Sequence, residues 1–512
     1  MNFNKKLAVA VSGAVLLMAG QFALADSATD IVDALVSKGV LTEEEGRLIT
    51  KGHTSKTSVT PVVKEKDGAF TLESASGRNS IQLTGRMHFD MRESDIDGSK
   101  INGRTDDRDT ASFADQFELR RARLGVKGKF ANDFKYEVVG NLPGTATIDI
   151  AYLDFAKYEQ MQVRVGKFKQ PFGLEQLISS NNITMMERSY VDQTVPGKKL
   201  GFQLMGSPTK GITYAGSVYQ HHDVELNING DSKGSAAGRA TLNFAEIMGN
   251  KEAVMHVGVA GLESNYAIGT SSSSQTETAT PSATSRGTMS SFRSAGRGLN
   301  NLFRGQVGGE NCASNADYAC ASEYGASVRQ RAFGLEGIYA TGPFKLMGEY
   351  SEGDFRGQQQ ANQTKYDTTT YYLETGFFIT GEKYADSYKN GVFSSFKPKN
   401  EFDIDKGQWG AIELAFRAEG YEVDNVAFTG SGGRIQGSLR NTTESSQGNK
   451  AGAKTYTAGV RWILSPNLIL KANYAQTNFD YAFKPIDINT TAAPISNIDK
   501  ERLLMFRTQY MF

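Results

Sequence analysis

Between Ser80 and Arg92, apolar and polar residues alternate without interruption. The odd positions from Ile81 to Met91 are apolar or glycine, whereas the even positions from Gln82 to Arg92 are polar or charged. A period of two residues predicts a β-strand with one apolar face and one wet face. The segment is long enough to cross a bilayer if the strand is tilted.

The segment from Gln116 to Phe130 also alternates, but its polar face is strongly basic. From Arg121 onward, the odd positions are arginine, glycine or lysine and the even positions are apolar or glycine. Phe117 and Leu119 have the opposite parity, which predicts a bulge near Arg120 or a strand that begins late. The apolar face covers a protein core in a soluble sheet and contacts lipid in a membrane barrel, where the charges line a wet lumen.

The same criterion predicts sixteen strands along the chain. They are expected near residues 80–92, 116–130, 133–142, 147–157, 161–168, 199–207, 211–220, 235–245, 252–264, 329–341, 343–354, 367–381, 407–422, 453–465, 467–479 and 500–511.

The connections between these strands alternate between short and long, as in outer-membrane barrels. Two of them break the rule: 142–147 is short on the outer side and 382–406 is long on the inner side. We therefore predict an all-β fold, a 16-stranded antiparallel transmembrane β-barrel with both ends inside. The terminal Phe512, two residues after Tyr510, resembles the signal read by the barrel assembly machinery, although an edge strand can end in Phe by chance.

The amino terminus indicates export. Lys5 and Lys6 precede an apolar run that ends at Ala23-Leu24-Ala25, which predicts a signal peptide over residues 1–25 rather than a membrane anchor. Residues 26–66 are expected to form a short helical periplasmic segment and a linker over 53–66, with a capping box opened by Thr42 and Glu45. Residues 67–512 are assigned to the barrel.

Total charge gives no ion preference. Lysine plus arginine and aspartate plus glutamate number 56 each, and without Lys5 and Lys6 the balance is 54 against 56. Any selectivity must therefore come from the placement of charges. Cys312 and Cys320 are close together in an exported chain, which predicts one disulfide, with two free thiols as the alternative. Metal-ligand spacing, phosphate-cradling glycine loops and nucleophile motifs are missing from the sequence, so we expect no cofactor and no enzymatic activity. We also expect no nucleic acid, because the charged face of the exported strand 116–130 carries no aromatic residue on which bases could stack.

Several segments resemble the phosphate-selective porin family, of the porin O and P type. They are residues 117–138, 151–180, 185–204, 371–383, 391–402, 407–417 and 458–478, in the family's order. The resemblance implies a homotrimeric channel in the bacterial outer membrane, in contact with lipid, whose loops fold inward. It also implies that arginines and lysines guide small anions such as phosphate or polyphosphate to a constriction.

The candidate site consists of basic residues that strand parity places in the lumen. The predicted anion path is Arg86, Arg120, Arg121, Arg123, Lys127, Arg164, Arg239, Arg331, Arg417 and Arg461, and parity adds Arg92, Lys129, Lys471 and Arg507. Parity does not decide the side of Arg120, because the suspected bulge lies there. The resemblance implies a constriction at the ends of the 169–198 loop, at Lys167, Lys169, Lys198 and Lys199. Arginine and lysine suit an anion because their charge-assisted hydrogen bonds replace its hydration shell.

The sequence also allows other interpretations. Each arginine can instead pair with a lumen carboxylate and stiffen the interior, which would leave a general diffusion porin of weak selectivity. A structural or adhesive outer-membrane protein that acts through its long outer loops is the third interpretation. The segment 267–328, which carries Arg286, Arg293, Arg297 and Arg304, is either a surface loop or an inward fold that brings cations to the pore mouth.

Overall fold

The computed structural model gives the fold of the chain. It describes residues 32, 35–57, 60–66, 68–98, 116–221, 234–268, 287–299, 302–307, 326–359, 362–429, 434–437, 450–483 and 498–512. The predicted signal peptide at residues 1–25, Arg286 and the predicted disulfide between Cys312 and Cys320 lie outside these residues.

Sixteen antiparallel strands form a closed barrel, because the last strand pairs with the first. In chain order the strands are β1 (Ser80–Gly98), β2 (Gln116–Phe130), β3 (Phe134–Asn141), β4 (Thr147–Tyr158), β5 (Met161–Lys169), β6 (Lys198–Thr209), β7 (Ile212–Gln220), β8 (Ser235–Asn243), β9 (Ala253–Ile268), β10 (Ala326–Thr341), β11 (Phe344–Gln359), β12 (Asn362–Phe378), β13 (Ala411–Thr429), β14 (Ala451–Ser465), β15 (Leu468–Phe483) and β16 (Ile498–Met511). The predicted strand count and fold class are confirmed. Among the described residues, no helix is long and apolar enough to span a membrane.

The alternation along each strand separates an apolar outside from a polar inside. In β1, Phe89 and Met91 are exposed on the outer surface, whereas His88 and Asp90 are buried within the barrel. The same division holds in β14, where Tyr456 is exposed and Thr457 is buried. The outer face therefore presents a band of apolar side chains to lipid, as expected for a transmembrane barrel.

The predicted bulge lies at Arg120. His88 of β1 pairs with Arg121, and the next residue, Phe89, pairs with Leu119, so that Arg120 is the extra residue in β2. A bulge adds one residue, so outward-facing residues have odd numbers before it and even numbers after it. Phe117 and Leu119 therefore face outward before the bulge, and Ala122 faces outward after it.

A helix and a hairpin precede the barrel. Thr42 caps the helix Glu43–Thr57, since its Oγ1 accepts the Glu45 N–H over 3.3 Å and its N–H donates to Glu45 Oε2 over 2.9 Å. This helix extends into the segment predicted as a linker. The strands Val62–Lys66 and Ala69–Glu73 pair with each other, and the second also pairs with β1. The predicted linker over 53–66 was therefore wrong in part, because its ends are helix and strand.

In the part of the chain that the structure describes, three segments between barrel strands fold inward. The first is the connection between β5 and β6, residues 170–197, which we call the pore loop. The second is the outer insert, residues 287–299 and 302–307, whose short strands Gly287–Phe292 and Phe303–Val307 pair with each other. The strand Phe303–Val307 also pairs with the short strand Arg434–Gly437, which completes a three-stranded sheet. The third is the inner insert, residues 379–410, which contains the short hairpin of Tyr388–Lys389 with Val392–Phe393.

Aromatic packing holds the two inserts inside the barrel. Phe292 of the outer insert stacks on Tyr421 of β13, with ring centroids 4.3 Å apart. Tyr384 and Phe396 of the inner insert are buried against Phe378 of β12. The long inner connection at 382–406 is thus an inward fold. The described part of segment 267–328 also folds inward, which agrees with the second interpretation of its sequence.

Candidate functional site

A cavity of about 1530 Å³ lies between the pore loop and the half of the wall formed by β1–β8. Among the described residues that line it, sixteen are arginine or lysine and six are aspartate or glutamate, so its wall carries a net positive charge. The pore loop packs against the other half of the barrel, where the Tyr190 N–H donates to Glu419 of β13 over 2.9 Å. The open lumen is therefore eccentric, along the strands that carry the basic cluster of β2.

The bulge brings two consecutive arginines to this cavity. Arg120 donates from Nε and Nη2 to the two carboxylate oxygens of Glu187 in the pore loop, over 3.0 and 3.1 Å. Arg121 lies against His88, with Nη1 3.4 Å from Nδ1. In a regular strand, consecutive side chains face opposite sides of the sheet. The extra residue in β2 is therefore the reason that both guanidinium groups line one cavity.

Arg123 and Arg86 line the next part of the cavity. Arg123 Nη1 is 2.9 Å from Asp149 Oδ2, and Lys198 Nζ donates to the same oxygen. Arg86 donates from Nη1 to the Ser180 hydroxyl of the pore loop over 3.0 Å. This part of the site combines three cations with one carboxylate.

The lysines of β2 and the residues of β4 and β5 complete the lining. Arg164 donates to both oxygens of Asp154 over 2.7 and 2.8 Å and stacks on the Tyr152 ring, 3.7 Å from its centroid. Lys127 lies opposite Glu137 in the β2–β3 register and also lines the cavity. Arg164 is thus paired with the carboxylate of Asp154 on the neighbouring strand.

All four residues predicted for the constriction line the cavity: Lys167, Lys169, Lys198 and Lys199. They differ in what they contact. Lys169 Nζ donates to the carbonyl oxygens of Leu177 and Ile178, both over 3.0 Å, and so fixes the pore loop. Lys198 pairs with Asp149 across the cavity wall.

Three predicted path residues face inward but are buried in contacts with carboxylates. Arg417 pairs with Glu175 of the pore loop, Arg461 with Glu413 of β13 at 2.5 Å, and Arg239 with Glu336 of β10. Of these three, Arg239 also lines the cavity. Arg92, Lys471 and Arg507, the additional residues from parity, are buried as well.

The lumen assignment of Arg331 was wrong. Arg331 shares the outward face of β10 with Phe333 and Leu335, and about half of its side chain is exposed. It pairs with Glu263 of β9 over 2.9 Å on that outer surface. In this part of β10, the same face carries the charged Arg331 and the apolar Phe333 and Leu335. The polarity of the residues therefore does not show which face points into the barrel.

The family model of phosphate-selective porin O and P matches residues 81–512 of the chain. The chain belongs to this family. Porin O of Pseudomonas aeruginosa is 26% identical over 432 residues, which cover 82% of this chain and 87% of that protein.

Solved structures of outer-membrane proteins are also similar to this porin. OmpT of Vibrio cholerae gives a TM-score of 0.47 at 9% identity, with 85% of this chain and 98% of that one covered. An anion-selective porin from Comamonas acidovorans gives 0.44 at 10% identity, with coverage of 85% and 100%.

Family membership and the barrel together establish the class and location of this porin. It is a channel protein of the bacterial outer membrane rather than an enzyme. Its basic cavity wall is the part of the molecule that a solute in the lumen would contact.

Sequence reasoning missed the pore-loop residues of the site. Glu187, Arg188 and Asp192 line the cavity, and Arg188 donates to the Glu175 carbonyl oxygen over 2.8 Å. The pore loop has no strand periodicity, so parity could not assign its side chains. The only signal in the sequence was the length of this loop. The length suggested an inward fold only because similar loops fold inward in the family that the chain resembles.

Proposed function

We propose that this porin is an anion-selective channel that passes phosphate or polyphosphate along the basic wall of its cavity. The observation that carries the proposal is the excess of sixteen basic over six acidic residues among the described lining residues. In a narrow lumen with low-dielectric walls, such an excess concentrates anions and repels cations.

The proposed path begins at Arg120 and Arg121 and continues past Arg123 and Arg86 toward Lys127 and Arg164. Guanidinium groups suit this path because they bind phosphate oxygens through paired, charge-assisted hydrogen bonds. Several cations in series let an anion exchange one donor for the next without full rehydration. Each site must bind firmly enough to admit the ion and weakly enough to release it.

The predicted constriction is proposed to lie where Lys167, Lys169, Lys198 and Lys199 meet the pore loop. Because Lys169 holds two carbonyl oxygens of the loop, we assign it a positioning role. The buried Arg239, Arg417 and Arg461 are proposed to hold the interior of the barrel together through their carboxylate partners rather than to carry the ion.

A general diffusion porin is the second candidate. It is favoured by the lining carboxylates, since Asp149, Asp154 and Glu187 each pair with a cation that would otherwise meet the solute. On this account size alone would select the solute.

The remaining assignments are proposals from the sequence and the family. We propose a homotrimer, a cleaved signal peptide over residues 1–25, a periplasmic segment over residues 26–66, and recognition of Phe512 by the barrel assembly machinery. The division of the mature chain into this segment and a barrel domain from residue 67 belongs with them.

Block of chloride current by phosphate in a planar lipid bilayer separates the two functions. An anion channel with a phosphate path loses chloride conductance as millimolar phosphate is added at constant ionic strength, because the bound phosphate occupies the path. A general diffusion porin keeps its conductance under the same titration.

A further inference from the structure

One carboxylate of the pore loop lies at the centre of four arginines. Besides the two hydrogen bonds from Arg120, Glu187 Oε1 accepts one from Nη2 of Arg507 over 2.6 Å. Nη2 of Arg92 lies 3.7 Å from Oε1, and Nη2 of Arg121 lies 3.7 Å from Oε2. The Glu187 carboxylate thus occupies the position among these guanidinium donors at which an oxyanion would bind.

The four arginines form two layers around this carboxylate. Arg120 and Arg121 line the cavity, whereas Arg92 and Arg507 are buried in the wall behind them. Both buried arginines also pair with Asp90, Arg92 over 2.6 Å and Arg507 over 2.6 and 2.7 Å. The rear arginines therefore have a second carboxylate partner in Asp90, whereas Arg120 and Arg121 have Glu187 as the carboxylate that they share with them.

The pore loop holds the Glu187 backbone in place. Its carbonyl oxygen accepts a hydrogen bond from Arg417 Nη2 over 3.1 Å, and Arg507 Nη1 donates to the carbonyl oxygen of the preceding Met186. The carboxylate is therefore a fixed part of the wall, and it neutralises part of the cluster at the place where the passing ion meets Arg120.

We infer that Glu187 is an internal counter-anion that competes with the permeating anion for Arg120 and Arg121 and so sets how tightly the pore holds it. This inference rests on the proposed anion-selective function. A carboxylate and a phosphate accept the same forked donors, so the two compete for one set of hydrogen bonds. Competition of this kind speeds release of the ion, which conduction requires as much as binding.

Glu187 is charged at neutral pH. Burial raises the pKa of Glu187, but the guanidinium groups of Arg121, Arg120 and Arg507 outweigh burial and hold the pKa well below its usual range. The competitor is thus present throughout the neutral range.

The test compares the phosphate concentration that halves the chloride current in the unmodified porin and in Glu187→Gln. Glutamine keeps the shape and one oxygen acceptor but removes the charge. We expect the half-blocking concentration to fall about tenfold, which corresponds to about 1.4 kcal/mol of tighter binding.

Glu263→Gln is the matched control, because Glu263 pairs with Arg331 on the outer surface and its loss removes one negative charge away from the cavity and the arginine cluster. It should change the half-blocking concentration less than about twofold, as for a screened surface charge. An equal fall in both variants, or no fall in Glu187→Gln, overturns the inference.

Two further measurements cover the cases in which Glu187→Gln gives no result or the proposed function fails. If Glu187→Gln forms no channels, Glu187→Asp carries the test, since its side chain is one methylene shorter and draws the carboxylate back from Arg120. The half-blocking concentration should again fall, and an unchanged value overturns the inference. If the unmodified porin is neither anion-selective nor blocked by phosphate, the proposed function itself has failed, and this outcome is read before any variant is compared.

Discussion

The Arg417 guanidinium of strand β13 donates from Nη1 to Glu175 Oε1 of the pore loop over 3.0 Å. The same guanidinium reaches Glu419 from Nε over 2.9 Å. Each of the three side chains is almost fully buried. Arg417 therefore anchors the loop that shapes the lumen, although strand parity alone marks it as part of the ion path.

Arg417→Gln should weaken the barrel interior more than it changes ion selectivity. Breaking a buried ion pair on one side costs about 3–5 kcal/mol because the partner charge stays buried. We expect a lower melting temperature in detergent and a reversal potential in a KCl gradient close to that of the unmodified porin. A large shift of the reversal potential with unchanged melting would place Arg417 in the path instead.

Replacing Arg121 and Arg123 together by alanine should lower the preference for anions. Both side chains line the basic cavity, and neither contacts lipid, so the barrel should still form. Arg331→Ala is the matched control, because Arg331 lies on the outer face. The reversal potential in a KCl gradient should move toward zero in the double variant and stay in place in the control. The opposite pattern contradicts the assignment of faces.

Glu175 should make the stability of the porin depend on pH. Burial raises the pKa of Glu175 from its ordinary 4.5 to about 7, with Glu374 adding to the rise and Arg417 opposing it. The folded protein therefore holds this proton more tightly than the unfolded chain, and the resulting stability is lost as pH rises through about 7. Between pH 6 and pH 8 the loss is about 1 kcal/mol.

Glu175→Gln removes this titration, so that its melting temperature should fall less between pH 6 and pH 8 than that of the unmodified porin. Thermal unfolding in one detergent at both pH values is the measurement. An identical pH dependence in the two proteins would show that another group is responsible.

Gly85→Ala should impair closure of the barrel. Gly85 and Phe512 exchange backbone hydrogen bonds of 2.9 and 3.1 Å, and a Cβ at Gly85 would lie 2.4 Å from the Phe512 ring. Overpacking of this kind costs about 1–3 kcal/mol. Gly140→Ala is the control, since its Cβ would find its nearest atom at 3.7 Å. Heating in detergent should unfold Gly85→Ala first, and equal melting of the two variants would contradict the prediction.

The sequence predicted the wall of the barrel far better than its interior. Alternation has a physical cause at every strand, because one face meets lipid and the other water, and even the bulge at Arg120 left a parity shift between Leu119 and Ala122. The same rule failed at Arg331, where the strand carries charged and apolar residues on one face.

The interior depends on contacts between segments that are distant in the chain. Glu187 meets Arg120 from 67 residues away and Arg507 from 320 residues away, and no local pattern encodes such a pairing. For this reason, the alternation along a strand could predict which side chains point inward, but not which of them bind the pore loop.

The reversal potential of the unmodified porin in a tenfold KCl gradient tests the central claim most directly. A cavity wall with a net positive charge predicts a potential whose sign is that of chloride permeation, and a smaller potential as millimolar phosphate occupies the path. A potential of zero, or one with the sign of potassium permeation, would contradict the claim that the basic wall selects anions.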